Sequence, residues 1–364
     1  MKFRCERDTL GEVLTVTGRA TSNRSGGPAV YGCLRMVLSG SRLTVDGTDL
    51  DMTISAQVTV AGDEDGEALI PAKLAADIVR ALDPGAVDLS TEGLEATISQ
   101  GRSQFSINLM ATEEFRLTPE PAAQSVVIDS EAFAEGLKQV VKAASNDESR
   151  PILTGVLLSA EEGGLRLVAT DSFRLAVRDL PGVAVLDADQ RVLVPSRALK
   201  EVERLLGPGE ELTLTLGERD AVFGVGDVRL STRLIEDKFP DYRNLIPSSQ
   251  PNRAVVGREE LIEAVKRVKL MAKDGEHVRL NLNSDTITLE AVARDVGRAG
   301  AAIDAKYEGV EMTVGFNPDY LIDGLEVAPG DEVTIEVVEA LKPALIRSTE
   351  SSDFLYLLMP VRVN

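Results

Sequence analysis

The sequence predicts an α+β protein made of three repeated domains, each with two helices and long runs of antiparallel strand. Two observations support this prediction: one segment recurs at an interval of about 120 residues, and each copy stands at the same place in a helix and strand pattern. The recurring segment is ALIPAKL at 68–74, VLVPSRA at 192–198 and, more loosely, VGFNP at 314–318. The interval exceeds the roughly 20 to 50 residues of solenoid repeats, so each copy is predicted to be a domain.

Helix and strand patterns follow the same order in each repeat. In the second repeat, Phe133, Leu137 and Val140 lie at helical intervals, and Leu165 and Leu167 alternate with other residues as in a half-buried strand. A second helix is predicted after the recurring segment, because a Pro-Gly pair and then alternating residues follow it each time. These Pro-Gly pairs lie at 84–85, 208–209 and 329–330.

Turn-forming residues divide the chain at two places. Prolines and other turn residues gather at 118–123 and at 247–252. We therefore predict three domains, at 1–122, 123–251 and 252–364. A chain of 364 residues is two to three times the usual length of one domain, which agrees with this division.

Composition and charge are typical of a globular protein that acts inside the cell. The chain is 43% hydrophobic and 27% charged, and it has no apolar run of roughly 20 residues that could span a bilayer. The charged N-terminus, MKFRCERD, lacks the apolar segment of a secretion signal, so we expect a cytoplasmic protein. The net charge of −20 argues against binding nucleic acid over the whole surface, although it leaves room for a local basic patch.

The usual catalytic and metal-binding groups are scarce. Cys5 and Cys33 are too far apart for a zinc or redox pair and are expected in the core, and His277 is the single histidine. The sequence has no Gly-rich phosphate loop, and we expect neither a cofactor nor a metal.

An enzyme that uses Asp171 and Asp241 as acid and base is the competing hypothesis. Asp171 follows a predicted strand and has a counterpart in the first repeat, Asp49. A turn residue that recurs in two repeats is expected to be structural, whereas a catalyst is usually unique. The sequence therefore favours a binding protein over an enzyme.

Lysine and arginine recur on one face of four of the six predicted helices. In the first helix of the third repeat, Leu261, Val265 and Val268 form the apolar stripe, and the cations lie on another face. Taken alone, each cationic stripe is better explained by a solvated surface. Its recurrence in an acidic chain indicates a basic face inside an acidic shell. The sixth helix differs, since it carries Asp319 and Asp323 instead of bases. The helix cations are Lys73, Arg80, Lys138, Lys142, Arg197, Lys200, Arg204, Lys266 and Lys273.

Five short segments resemble one protein family, the bacterial DNA polymerase III β subunits, or sliding clamps. The most specific are ATDSFRLA at 169–176, FPDYRNLIP at 239–247 and LMPVRV at 358–363. MKF at 1–3 and GTDL at 47–50 agree with them. The resemblance covers the whole chain and accounts for its three repeats.

This resemblance implies a DNA-clamp fold and a non-enzymatic function. Members of the family are DNA polymerase processivity factors, in which two subunits join head to tail and six domains close a ring that encircles duplex DNA and slides along it. The helix cations would face DNA without reading its bases, together with Arg24, which aligns with a DNA-contacting loop arginine. Lys269 and Leu270 match positions in the dimer interface. Lys269 also lies among the cations expected to face DNA, and the sequence leaves both placements open.

The resemblance also implies a hydrophobic cleft between the second and third domains that binds short peptides of partner proteins. The implied partners are the DNA polymerase III α subunit, the clamp loader, and repair and ligation proteins, on nucleoid DNA in the cytoplasm and not at a membrane. Apolar side chains would form the floor, and Arg174 and Arg362 would pair with carbonyl or acidic groups of the peptide. The matching positions are Leu153, Thr170, Ser172, Phe173, Arg174, Leu175, Pro240, Asn244, Leu245, Pro343, Leu358, Met359, Pro360, Val361 and Arg362.

Three of these positions depart from the family pattern. Ser172 and Phe173 stand where the family often has Gly-His, and Asn244 replaces an arginine. A larger, apolar Phe173 is expected to change which peptides fit. The departures also leave open a drug-insensitive duplicate of the clamp, with the same fold and a modified cleft.

Overall fold

The structure is a computed structural model that describes residues 1–22, 28–117, 123–161, 163–247, 250–272, 277–293 and 296–363. These residues form six α-helices and 25 β-strands, numbered in chain order. Within the described residues each repeat contributes two helices and a series of antiparallel strands, so the predicted α+β class and the order of elements are confirmed.

The first repeat contains β1 (Lys2–Glu6), α1 (Arg7–Gly18), β2 (Cys33–Ser39), β3 (Arg42–Thr48), β4 (Met52–Thr59), β5 (Ala61–Glu64), β6 (Gly66–Pro71), α2 (Ala72–Ala81), β7 (Ala86–Glu92), β8 (Glu95–Gln100) and β9 (Ser103–Asn108). The second contains β10 (Ser125–Ile128), α3 (Ser130–Val140), β11 (Gly155–Glu161), β12 (Gly164–Thr170), β13 (Arg174–Pro181), β14 (Arg191–Pro195), α4 (Ser196–Leu205), β15 (Leu212–Leu216), β16 (Asp220–Val225) and β17 (Val228–Arg233). The third contains β18 (Asn252–Gly257), α5 (Arg258–Lys269), β19 (Val278–Leu282), β20 (Thr286–Ala293), β21 (Gly297–Glu308), β22 (Met312–Phe316), α6 (Pro318–Val327), β23 (Glu332–Val337), β24 (Ala344–Ser348) and β25 (Phe354–Leu358).

The recurring segment is the junction of a strand with a helix. β6, β14 and β22 lead almost directly into α2, α4 and α6, and a Pro-Gly pair follows each of these helices. The three glycines, Gly85, Gly209 and Gly330, have φ angles of 129°, 77° and 83°. A residue with a Cβ is strained in this left-handed region, which explains why glycine recurs at the turn into the next strand.

The strands assemble into two compact units whose limits differ from those of the repeats. Unit 1 comprises Met1–Ser130 and Arg204–Leu234, and unit 2 comprises Glu131–Glu203 and Ile235–Asn364. The limits differ because β17, at the end of the second repeat, pairs with β4 of the first repeat. Residues 204–234 therefore belong to unit 1. The three domain boundaries taken from the sequence therefore remain a prediction.

Unit 1 contains two antiparallel sheets with α1 and α2 packed together. The strand orders are β5-β1-β7-β8-β9 and β10-β15-β16-β17-β4-β3-β2-β6. Leu10 and Leu14 of α1 are fully buried with Phe3 in the main core, which supplies the hydrophobic free energy of this unit. Cys5 and Cys33 are buried free thiols, as predicted, and burial raises the pKa of both.

Unit 2 is organised around one continuous antiparallel sheet. Its strand order is β14-β11-β12-β13-β25-β24-β23-β18-β21-β20-β19-β22, so strands of the second and third repeats meet where β13 pairs with β25. The apolar stripe of Leu261, Val265 and Val268 on α5 is buried, which confirms the face predicted for that helix. In the described ranges, no helix has both the length and the apolarity needed to cross a membrane.

Candidate functional site

The turn that joins β12 to β13 is fixed by hydrogen bonds from its own side chains. Oδ1 of Asp171 accepts from the backbone N–H groups of Phe173 (2.9 Å) and Arg174 (3.0 Å). The Thr170 hydroxyl donates to the carbonyl of Arg174 (2.7 Å) and accepts from the N–H of Ser172 (3.2 Å). Ser172 has a φ of 82°, in the left-handed region. The turn therefore holds Phe173 in a defined place.

The same turn occurs between β3 and β4 in the first repeat. Oδ1 of Asp49 accepts from the N–H of Met52 (2.9 Å), the Thr48 hydroxyl donates to the Met52 carbonyl (3.1 Å), and Leu50 has a φ of 79°. This equivalence confirms Asp171 as a repeated turn residue. Its carboxylate is occupied by the turn and is not available as a catalytic acid or base.

Half-exposed apolar side chains surround the end of β25. Phe173 is 55% exposed, and its ring stacks on Tyr320 with the centroids 6.3 Å apart. The N–H of Met359 donates to the carbonyl of Phe173 (2.8 Å), which places the residue after β25 beside the residue before β13. Met359 and Val361 are 38% and 37% exposed. We call Phe173, Met359 and Val361 the apolar rim, together with the exposed Leu245, whose neighbours Tyr242 and Ile246 pack in one cluster with Leu175 and Leu357.

The paired strands beneath the rim provide a buried floor. Arg174 pairs with Leu358 and Leu175 with Leu357 in the β13–β25 register. Leu175 and Leu358 are fully buried, and Leu153 and Thr170 are nearly so. These four predicted cleft residues therefore support a surface from below, whereas the rim residues are open to solvent.

The segment before β18 lies on the same floor. Phe239 and Tyr242 pack in one cluster with Leu175 and Leu357, their rings meeting edge to face at 6.3 Å. Tyr242–Leu245 form a short 3-10 turn that leaves Leu245 half exposed. The remaining predicted cleft residues are accessible as well: Ser172, Asn244 and Arg362 are exposed, and Pro240, Pro343 and Pro360 are half-buried.

Arg174 takes part in an internal ionic network, and the peptide contact expected for it remains a prediction. Its guanidinium bonds to Asp171 (3.0 Å) and Asp323 (2.5 Å) and lies 4.3 Å from the centre of the Tyr320 ring. The side chain is only 9% exposed. Burial alone would lower the pKa of Arg174, but Tyr356, Asp323 and Asp171 raise it. In the unliganded chain this buried guanidinium links the β12–β13 turn to α6.

Helix α6 packs closely against β25 because it has a glycine, Gly324, at the point of contact. A Cβ on Gly324 would lie 2.4 Å from the ring of Tyr356, a distance that real side chains do not reach. Tyr356 is buried, its hydroxyl donates to the carbonyl of Tyr320 (2.8 Å), and burial raises its pKa above the ordinary value. This contact fixes Tyr320 behind Phe173.

Acids of α6 neutralise part of the predicted basic face. Nζ of Lys142 lies 3.3 Å from Glu326 and 3.6 Å from Asp323. Nζ of Lys266 lies 3.6 Å from the same Glu326 and 3.7 Å from Glu263. Asp323, one of the two acids that set the sixth helix apart in the sequence, is therefore an ion-pair partner of Lys142, and Glu326 of the same helix is a further acid that the sequence did not single out. Lys142 and Lys266 present less net charge than the sequence implied.

The other predicted basic residues fall into three groups. Lys73, Arg80, Lys138, Arg197 and Arg204 are exposed, and Arg80 pairs with Asp77 at 3.2 Å. Lys200 is half-buried. Arg24 and Lys273 lie outside the described residues.

The two predicted dimer-interface residues differ in their surroundings. The ammonium of Lys269 forms an ion pair with Asp319 of α6. Leu270, directly after α5, is 86% exposed. Single exposed apolar side chains are common on protein surfaces, so the place of Leu270 in a dimer interface remains a prediction.

Tyr320, Asp323 and Tyr356 were not identified as site residues from the sequence. Asp323 was noticed only as an acid where other helices carry bases. That exception was the available signal, because an acid on one helix of an otherwise basic set indicates a specific cation nearby. The aromatic residues gave no signal, since their role depends on the packing of α6 against β25.

Three family models match successive parts of the chain. The N-terminal, central and C-terminal domains of the DNA polymerase III beta subunit match residues 1–119, 127–241 and 243–362. The chain is 32% identical to the beta sliding clamp of Streptomyces coelicolor and 28% identical to that of Bacillus subtilis, over 100% of both chains in each case.

Solved structures agree with these matches. The DNA polymerase III beta subunit of Thermotoga maritima has a TM-score of 0.91 at 27% identity, over 100% of both chains. The sliding clamp of Pseudomonas aeruginosa bound to griselimycin has a TM-score of 0.91 at 26% identity, also over 100% of both chains.

Proposed function

The chain belongs to the family of DNA polymerase III beta subunits, the beta sliding clamps, and on that premise we propose that it forms a homodimeric ring around duplex DNA and tethers a replicative polymerase. Members of the family are non-catalytic subunits of the polymerase, so this chain acts in DNA replication by binding its partners. Its partners are DNA, a polymerase and a second copy of itself.

The observation that carries the proposal is the apolar rim. Phe173, Leu245, Met359 and Val361 keep more than a third of their surface in water, and the floor beneath them is buried and packed. Exposed apolar groups gathered at one place mark a site that a partner covers. A short peptide with apolar anchors fits this chemistry, since Met adapts to different shapes and Phe173 offers a flat ring.

Two exposed strand edges support a head-to-tail dimer. β9 is the edge strand of its sheet in unit 1, and most of its residues are exposed, including Phe105. In β21, only residues 305–308 pair with β18, so among the described strands the 297–304 part pairs with β20 alone. Unpaired edges add strands readily. Pairing β9 of one copy with β21 of another is a heterologous contact, and two such contacts close a ring.

Further partner proteins are expected to bind the same cleft. We expect a clamp loader and proteins of DNA repair and ligation to compete with the polymerase for the apolar rim, each through a short apolar peptide. A shared site makes the partners exchange by mass action. On this proposal the protein resides on nucleoid DNA in the cytoplasm.

The cleft is tested by isothermal titration of griselimycin and of a polymerase-derived peptide into the wild-type protein and the variants Leu245→Glu and Met359→Glu. Each variant is expected to weaken binding at least tenfold, because a carboxylate must be desolvated against apolar groups. Val310→Glu, at an exposed apolar residue outside the rim, is the matched control and is expected to bind as the wild type does. Unchanged binding in both rim variants would contradict the assignment of the cleft.

A duplicate clamp with a modified cleft is a second candidate, and the Phe173–Tyr320 stack favours it. The stacked ring occupies space where the family often has histidine. If this stack excludes the inhibitor, Phe173→His should raise the affinity for griselimycin while the polymerase-derived peptide binds as before. If both ligands bind wild type and variant equally, the modified cleft has no functional effect and the ordinary replicative clamp is the better description.

A further inference from the structure

The first strand of the second repeat, β10, has an open edge. In the first repeat, the equivalent strand β1 pairs with β5 on one side and with β7 on the other. In the third repeat, β18 lies between β21 and β23. Among the described strands, β10 pairs with β15 alone and stands at the end of its sheet. The covering strand is missing from the second repeat, since residues 182–190, between β13 and β14, form none.

The exposure of one side chain shows the effect of this missing neighbour. Phe3, Val126 and Ala254 each stand four residues before the first helix of their repeat, so they hold equivalent places in β1, β10 and β18. Phe3 and Ala254 are 1% and 0% exposed, whereas Val126 is 39% exposed. Val127, the next residue, is 61% exposed. β10 therefore leaves apolar surface uncovered where the equivalent strands are covered.

The edge of β10 also lacks the usual protection against strand addition. Natural proteins often place charged residues or proline on an open edge. β5, an edge strand of the same unit, carries Asp63 and Glu64. β10 is Ser-Val-Val-Ile and contains neither a charge nor a proline. An open edge of this kind adds an extended peptide through main-chain hydrogen bonds, and pockets for alternate side chains decide which peptide binds.

An acidic groove of about 390 Å³ begins at β10 and provides such a pocket. It crosses one face of the sheet from Ser125 of β10 to Ser55 and Gln57 of β4. Gly224 keeps its middle open, since a Cβ there would lie 2.5 Å from Oγ1 of Thr213. The charged lining residues are Glu210, Glu211, Asp227 and Arg229. Three carboxylates and one guanidinium give the groove a net charge of −2, which attracts cationic groups.

The alternation of side chains along an added strand decides which of them meet the groove. Ser125 lines the groove, and Val127 shares its face because successive side chains of a strand point to opposite faces. Val126 is on the other face with Ile128, which is buried. A strand added beside β10 would lie ~4.8 Å from it and about 10 Å from β15, which Glu211 directly precedes. A glutamate and an extended lysine or arginine cover that span, so basic residues fit opposite Ser125 and Val127 and an apolar residue fits opposite Val126.

We propose that the edge of β10 binds an extended peptide of a partner protein as an added antiparallel strand, in which apolar residues alternate with lysine or arginine. The orientation follows from the strands that cover β1 and β18, which are both antiparallel to them. A second copy of this chain suits the edge less well, since it brings a net charge of −20 and the same acidic groove. The site is additional to the peptide cleft, because its lining includes no residue of the apolar rim.

The test uses the full-length protein and a fluorescein-labelled eight-residue peptide in which valine alternates with lysine or arginine. Affinity is measured by fluorescence anisotropy at 50 mM salt. Glu210→Gln/Glu211→Gln is expected to bind the peptide about fivefold more weakly, the effect of two exposed ion pairs of ordinary strength. Glu113→Gln/Glu114→Gln, a second pair of adjacent exposed glutamates in unit 1, is the charge-matched control and should bind within a factor of about two of wild type. A block peptide of the same composition, with all valines before the basic residues, should bind at least fivefold more weakly than the alternating peptide, since it cannot place the two kinds of side chain on opposite faces.

Hydrogen exchange tests strand addition itself. The amides on the open side of β10 have no strand to pair with among the described residues, and an added strand would protect them. The alternating peptide is therefore expected to slow the exchange of these amides in residues 125–128 at least tenfold, measured by mass spectrometry of peptic fragments, whereas the block peptide should not. Val126→Lys places a charge on the edge and should abolish this protection, while the thermal midpoint checks that the variant is folded.

Three outcomes would overturn the proposal. If Glu210→Gln/Glu211→Gln loses affinity but the peptide does not slow exchange in residues 125–128 of the wild type, the groove binds cations and no strand is added. If the alternating and block peptides bind the wild type and every variant equally, the attraction is one of charge alone. If residues 125–128 are protected without peptide, and more so as the protein concentration rises, a second copy of the chain covers the edge instead.

Discussion

Single residues of the site are set by backbone geometry as much as by side-chain chemistry. The sequence indicated that Asp171 is a turn residue, because Asp49 stands at the equivalent place, and the hydrogen bonds confirm it. The left-handed conformation of Ser172 could not be predicted in the same way, since serine does not favour it and Leu50 adopts it too. In both turns the side-chain hydrogen bonds impose the conformation on an unfavourable residue.

Relief of this strain is measurable. Ser172→Gly is expected to raise the free energy of unfolding by about 0.5 kcal/mol, because the left-handed conformation costs ~1–2 kcal/mol for a residue with a Cβ and glycine gives back roughly 0.5–1 kcal/mol through its flexible unfolded state. Urea unfolding followed by circular dichroism measures the difference. The matched control is Ser99→Gly in β8, where φ is not positive and stability should fall. Equal destabilisation in both variants would mean that Ser172 is unstrained.

The reactivity of the two thiols tests whether their side chains are buried. Cys5 and Cys33 are buried, and desolvation raises the pKa of each above the ordinary value of 9.0. Both should therefore resist Ellman's reagent at pH 8 in the native protein and react at once in 6 M guanidinium chloride. Rapid reaction of either thiol in the native state would contradict its placement in the core.

The raised pKa of the two thiols also determines how the stability of the protein changes with pH. The unfolded chain loses the thiol protons near pH 9.0, whereas the folded chain keeps them to higher pH. The thiols' contribution to stability is therefore fully present below pH 9 and is lost as the pH rises through the folded-state pKa values. Urea midpoints at pH 8 and pH 10 for the wild type and for Cys5→Ala/Cys33→Ala test this, since the double variant should lose less stability on going to pH 10.

Among the elements, α6 explains why the cationic pattern of the sequence was incomplete. Four helices could be predicted to carry cations from spacing alone, but the partners of those cations depend on which helices pack together. Glu326 of α6 reaches both Lys142 and Lys266, and Asp323 reaches both Lys142 and Arg174. The helix with acids therefore joins the buried site network to the basic face.

Removing one α6 acid should strengthen DNA binding. Glu326→Gln takes away the carboxylate shared by Lys142 and Lys266, which leaves Lys142 with Asp323 and Lys266 with Glu263, so the net positive charge that the two ammonium groups present to phosphates rises. Affinity for a 20-bp duplex at 50 mM salt is expected to rise about threefold, with a steeper salt dependence, in an anisotropy titration. Glu339→Gln, at an exposed acid whose side chain has no ion-pair partner among the described residues, is the control with the same charge change. An equal increase in the control would show that only net charge matters.

For the whole molecule, the sequence was informative about repetition and less informative about assembly. The repeats, the order of elements and the family could all be predicted, because they depend on local segments such as 169–176 and 239–247. The placement of β17 in unit 1 could not be predicted, because its pairing with β4 depends on which strand edges are left open after each repeat folds. The cleft was predicted as one set of residues, and only the structure separates its buried floor from its exposed rim.

Exposure of Leu270 gives a prediction about the dimer itself. An 86% exposed leucine loses unfavourable hydration when a second copy covers it, and a charge in its place must be desolvated instead. Leu270→Glu should therefore shift the protein at micromolar concentration from twice the chain mass of 39.0 kDa to a single chain, measured by multi-angle light scattering. Val310→Glu, at a 74% exposed apolar residue, is the matched control and should remain dimeric. A monomer keeps both compact units, so Leu270→Glu should keep the thermal midpoint of the wild type at low protein concentration. A dimer that survives Leu270→Glu would place the interface elsewhere, and the exposed edges of β9 and β21 would be the next positions to change.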